Sequence, residues 1–162
     1  MRLVLTIIAA LEALEAILNL PLIVDRPNLL FGPWAEVPET ALGIFLAKAL
    51  VVCHPMLAIA ALTFSITGRV RGALVALGAI SILTWLSFLP TVVQNGPPLQ
   101  GFGDIQWTVA QLLIFPLLAG TAVALAALKC RYSLATAMIV VPTAYNTFGM
   151  ILFVIKVLAA NV

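Results

Sequence analysis

Long runs of apolar residues alternate along the chain with short segments rich in Pro, Gly, Asn and charged residues. Each apolar run has about 20 residues or more, the length that a helix needs to cross a bilayer core of roughly 30 Å. The runs lack the alternation of apolar and polar positions that is typical of membrane β-strands. The pattern therefore predicts an all-α bundle of five transmembrane helices at residues 3–24, 40–67, 73–93, 105–128 and 133–160.

Basic residues fall on one side of this predicted bundle. They precede the first span, separate the second span from the third, and separate the fourth span from the fifth: Arg2, Arg69, Arg71, Lys129 and Arg131. The loops on the other side hold a single basic residue, Arg26. Because cytoplasmic loops carry the excess of Lys and Arg, we expect the N-terminus in the cytoplasm and the C-terminus outside.

The composition supports the assignment to a membrane. Of 162 residues, 64% are hydrophobic and 9% are charged, whereas soluble domains carry about a quarter charged residues. The net charge of +2 is scattered, so no basic surface is expected to track the phosphates of a nucleic acid. We predict a multi-pass integral membrane protein, in the plasma membrane or a bacterial inner membrane, with the lipid bilayer as a partner and no separate soluble domain.

Three charged residues lie far from the ends of the apolar runs. Glu12 and Glu15 lie in the first span and Lys48 in the second, where each charge costs about 2.5–3.5 kcal/mol at the bilayer centre. Asn19 follows Glu15 by four residues, so the two acids and this amide share one helical face within about 60°. That face is expected to contact protein or water and to mark a functional site.

The depth of each polar residue follows from the helical rise of about 1.5 Å per residue and the alternating direction of the spans. This arithmetic places Glu15 level with Lys48, and Glu12 within one turn of His54. It also brings polar side chains of the third, fourth and fifth spans to the same layer: Trp85, Gln111, Tyr145 and Asn146. A polar site near the middle of the membrane is therefore predicted.

Acid–base chemistry is the expected role of the acidic part of this site. Two carboxyl groups one turn apart cannot both ionise cheaply at low dielectric, so Glu12, Glu15 and His54 are the candidates for proton transfer. The remaining polar residues are the candidates for binding a substrate: Asn19, Lys48, Trp85, Gln111, Tyr145 and Asn146. With a single histidine and no phosphate-binding or cofactor motif, neither a metal nor a cofactor is expected.

Three functions fit these predictions. The leading hypothesis is proton-coupled translocation of a small solute or ion, by a homo-oligomer because one chain is small for such a machine. The second is a membrane-embedded isomerase or cyclase that acts on a lipophilic small molecule, with Trp85 stabilising developing positive charge. The third is an accessory subunit of a larger membrane complex.

A purely structural interpretation also exists for the charged residues. Glu15 and Lys48 would form a buried ion pair that fixes helix register, and His54 would be a neutral, hydrogen-bonded core residue.

Overall fold

The computed structural model describes residues 1–25, 41–96 and 102–145. This part of the chain is helical and contains no strand. Its helices are α1 (Arg2–Asp25), α2 (Ala41–Ile66), α3 (Val70–Asn95), α4 and α5 (Tyr132–Tyr145). Helix α4 has three consecutive segments, an α-helix at Phe102–Val109, a π turn at Ala110–Ile114 and an α-helix at Phe115–Ala127. Each helix coincides with one of the predicted apolar runs.

Three of the described helices are long and apolar enough to cross a membrane. The qualifying stretches are Leu42–Ile66, Val70–Gln94 and Ala110–Ala127, and α5 is a shorter apolar helix over its described length. The predicted all-helical fold class is confirmed for the described residues. Membrane spanning by α1 and α5, and the orientation of the bundle, stay predictions.

Helices α1 and α2 are antiparallel, and hydrogen bonds from Arg2 join the start of α1 to the end of α2. The Arg2 guanidinium donates hydrogen bonds to the carbonyl oxygens of Ser65, at 3.2 Å from Nε, and of Ile66. These carbonyls belong to the last turn of α2, which lacks intrahelical donors and carries partial negative charge. Gly68, with φ of 76°, then reverses the chain into α3, as left-handed glycines at helix ends do.

Small residues make the contacts inside the bundle. Alanines with no exposed surface lie on α1, α2, α3, α4 and α5: Ala9, Ala58, Ala61, Ala73, Ala119, Ala122, Ala126 and Ala135. Larger side chains, such as Leu5, Leu74 and Leu77, complete the core. Other large apolar side chains point outward, including Phe45, Met56 and Leu117, each about two-thirds exposed. Small residues let helix backbones approach closely, and an apolar outer surface is what lipid requires.

Helices α3 and α4 approach each other closely at Gly78. A Cβ atom added at this glycine would overlap the Cγ2 methyl of Val123 on α4. Valine is stiff at χ1 in a helix, so this methyl cannot rotate away cheaply. The absence of a side chain at Gly78 therefore fixes how closely the two helices pack.

We predict that Gly78→Ala lowers the free energy of unfolding by about 1–3 kcal/mol, because the added methyl overpacks this contact. Unfolding by SDS in mixed micelles, followed by circular dichroism, measures the change. Gly120→Ala is the matched control, since a Cβ there meets nothing within 4 Å. Val123→Ala is expected to relieve the defect of Gly78→Ala, and equal losses with and without Val123 would contradict the contact.

Candidate functional site

The centre of the candidate site is a contact between α1 and α2. Glu12 Oε2 lies 3.0 Å from His54 Nε2, so the two side chains form a hydrogen-bonded pair and, when His54 is protonated, an ion pair. Glu12 is buried, with 6% of its surface exposed, and the His54 side chain retains 15%. Burial from water strengthens such a hydrogen bond and makes either group costly to leave without its partner.

This pair lies at mid-height of the helix hairpin. Counting from the Arg2–Ser65 contact, Glu12 is ten residues along α1, about 15 Å, and His54 is eleven residues back along α2, about 17 Å. Half of a bilayer core is also about 15 Å. The structure thus brings Glu12 and His54 into contact at mid-height of the hairpin, while the location of the pair in a bilayer stays a prediction.

Glu15 adds a second carboxyl group to the same place. It lies one turn beyond Glu12 on the same face of α1, is half-buried, and interacts electrostatically with both Glu12 and His54. The structure therefore brings the three candidates for proton transfer together. Among them, Glu12 and His54 are within hydrogen-bond distance, the reach that proton transfer requires.

Lys48 precedes His54 by six residues on α2, and Glu15 follows Glu12 by three on the antiparallel α1. Lys48 and Glu15 therefore lie on the same side of the Glu12–His54 pair, and their pairing stays a prediction. Lys48 is half-buried and makes interactions of its own. Within the described residues, the ion pair between α1 and α2 at this level joins Glu12 and His54. Asn19 lies four residues beyond Glu15, towards the level of Lys48.

A second polar group lies between α3 and α4. The indole nitrogen of Trp85 donates a hydrogen bond of 3.2 Å to the carbonyl oxygen of Leu112, in the π turn of α4. In an α-helix this carbonyl would accept from residue 116, which is a proline and has no N–H. The helix widens here, since Phe115 N–H reaches back to the carbonyl of Ala110. Trp85 therefore satisfies a carbonyl that Pro116 leaves without its usual donor.

Gln111 and Tyr145 flank this contact. Gln111 is buried within the π turn and has interactions of its own. The Tyr145 ring on α5 packs edge-on against Phe115, with ring centres 5.2 Å apart and an interplanar angle of 65°. Gln111 and the points at which Trp85 and Tyr145 contact α4 therefore lie within about one turn of that helix. Asn146 lies outside the described residues.

The described residues contain no cluster of three His, Cys, Asp or Glu side chains arranged to hold a metal ion. The ionisable groups at this site are two carboxyl groups and one imidazole.

Two participants were not singled out from the sequence, the Leu112 carbonyl and the Phe115 ring. The position of Pro116 was enough to find the first, because a proline always frees the carbonyl four residues before it. Phe115 gave no such signal, since an apolar residue in an apolar helix reveals its neighbours only in the folded bundle.

Comparison with protein-family models, with curated proteins and with solved structures finds no match for this chain.

We predict that Trp85→Phe lowers the free energy of unfolding by about 1–3 kcal/mol, because the Leu112 carbonyl loses its donor. The same substitution should cost less in a Pro116→Ala background, where residue 116 regains an N–H for this carbonyl. SDS unfolding of the four proteins gives the coupling between the two positions. An equal cost of Trp85→Phe in both backgrounds would show that the indole hydrogen bond does not compensate for the proline.

Proposed function

We propose that this chain is a small multi-pass membrane protein that moves a proton through the Glu12–His54 pair, coupled to translocation of a small solute or ion. The observation that carries the proposal is the 3.0 Å contact between a buried carboxyl group and the imidazole at mid-height of α1 and α2. Ionisable groups at such depth are costly, and in membrane proteins they mark ion pathways and proton relays more often than mere structural pairs.

In this proposal all five helices span the bilayer, with the N-terminus in the cytoplasm and the C-terminus outside. Contacts at one end of the bundle support it. Arg2 binds the end of α2, and the Ser133 hydroxyl at the start of α5 lies 3.8 Å from Met1 Sδ. The N-terminus and both basic turns therefore lie together, as the positive-inside rule expects of a cytoplasmic face.

The proton would pass between Glu12 Oε2 and His54 Nε2, and Glu15 would accept it on one side of the pair. When His54 holds the proton, the two groups carry opposite charges and stabilise each other, and when Glu12 holds it, both groups are uncharged. The polar residues further along the bundle would orient the solute: Asn19, Lys48, Trp85, Gln111, Tyr145 and Asn146. A homo-oligomer would complete the pathway.

The orientation makes a prediction for Cys130, which lies in the basic turn between α4 and α5. In a Cys53→Ser background, a membrane-impermeant maleimide is expected to label Cys130 in inside-out vesicles and not in right-side-out vesicles. Lys129→Cys, at the exposed neighbouring position in the same turn, provides a second reporter. Labelling of both positions from the outside would reverse the proposed topology.

Proton transfer makes a prediction for Glu12→Gln. Glutamine keeps the size and hydrogen-bonding capacity of Glu12 but cannot carry the proton. In proteoliposomes with an imposed potential and an internal pH-sensitive dye, we expect wild-type protein to pass protons and Glu12→Gln to reduce the flux by about 100-fold. His54→Gln is expected to have a similar effect.

Ser81→Ala is the matched control for this experiment. Ser81 is equally buried, and its hydroxyl is bonded within its own helix to the Leu77 carbonyl. Its removal should leave the flux unchanged. If folded Glu12→Gln and His54→Gln proteins pass protons as fast as the wild type, the proposal that this pair transfers the proton is wrong.

A further inference from the structure

A groove runs along the outside of α2 and α3, starting at the basic end of the bundle. Its cavity has a volume of about 420 Å³, within the range of roughly 300–1,000 Å³ of small-molecule sites. The walls are apolar, formed by Leu57 and Phe64 of α2 and by Val75 and Ala79 of α3. Its one charged wall residue is Arg71, at the start of α3.

The groove is separate from the Glu12–His54 pair. On α2, His54 faces α1, and the buried residues Ala58, Ala61 and Ser65 share its face of the helix. At about 100° per residue, the groove positions 57, 60 and 64 lie roughly 90° around the helix from that face. A ligand in the groove would therefore lie against the outer surface of the bundle, where a membrane supplies lipid.

Gly72 and Phe64 set the shape of the groove near its basic end. A Cβ atom at Gly72 would approach the Phe64 ring to 2.8 Å, closer than packed atoms allow. The glycine therefore lets this ring lie flat against α3 at the groove wall. Eight residues separate Arg71 from Ala79, so the walls extend about 12 Å from the charged end towards the middle of the bundle.

The charge of Arg71 indicates that a ligand in the groove would be anionic. Arg71 is exposed, and within residues 1–25, 41–96 and 102–145 its guanidinium makes no hydrogen bond or ion pair. By contrast, the nearby Arg2 is bonded to the end of α2. A guanidinium presents a fork of N–H donors that matches a phosphate. The apolar groove begins beside the Arg71 guanidinium.

We propose that the α2–α3 groove binds one anionic phospholipid, with an acyl chain along the apolar walls and the head-group phosphate at Arg71. This inference relies on insertion of the helices in a membrane but not on proton transfer, so the two proposals can fail separately. The lipid would bind at the basic end of the bundle, and the protein would therefore prefer membranes that contain anionic lipid.

Native mass spectrometry of the purified full-length chain, in detergent with added dioleoyl phosphatidylglycerol or dioleoyl phosphatidylcholine, tests this site. We expect one retained phosphatidylglycerol, bound about fivefold more tightly than phosphatidylcholine, which is the gain from one basic residue near a lipid surface. Inorganic phosphate has the charge without the chain and should not displace the lipid.

The variants separate charge from shape. Arg71→Gln should abolish the preference for phosphatidylglycerol and Arg71→Lys should retain most of it, while Arg131→Gln, at an exposed arginine of the other basic turn, should have no effect. Ala60→Leu, which narrows the groove, should weaken both lipids, whereas Ala137→Leu on the exposed face of α5 should weaken neither. Equal binding of the two lipids by wild type, or full binding by Arg71→Gln and Ala60→Leu, would overturn the proposal.

Discussion

The contact between Glu12 and His54 is the constraint on which the arrangement of this bundle depends. Each side chain would be unstable alone in an apolar interior, and each satisfies the other across 3.0 Å. The contact permits a single register of α1 against α2, and Arg2 holds the same register at the end of the hairpin. Two polar contacts about 15 Å apart therefore fix a pair of helices whose apolar surfaces alone would allow them to slide.

The remaining helices are held by different means. Helices α3 and α4 pack closely at Gly78. The Trp85 indole of α3 also donates a hydrogen bond to the π turn of α4. That turn exists where Pro116 removes a backbone donor, so a local defect in α4 is repaired by a neighbouring helix. At the candidate site, the two carboxyl groups and the imidazole lie on α1 and α2, while Trp85, Gln111 and Tyr145 lie on α3, α4 and α5.

Much of this arrangement could be read from the sequence, because helix length and the cost of buried charge are strong constraints. The apolar runs predicted the helices, and the rise per residue brought Glu12 to His54. The same arithmetic placed Lys48 level with Glu15, and this pairing stays a prediction. The edge-on contact of Phe115 with Tyr145 and the groove at Arg71 depend on packing between helices, which no local pattern encodes.

The central claim is that His54 and Glu12 share a hydrogen bond inside the folded protein. His54 is the single histidine of the chain, so ¹⁵N-histidine labelling gives one pair of ring-nitrogen resonances that report on this contact alone. In lipid bilayers we predict that Glu12→Gln shifts the Nε2 resonance and alters its change with pH, while Ser81→Ala leaves both as in the wild type. Identical His54 resonances in wild-type protein and Glu12→Gln, at every pH, would contradict the contact.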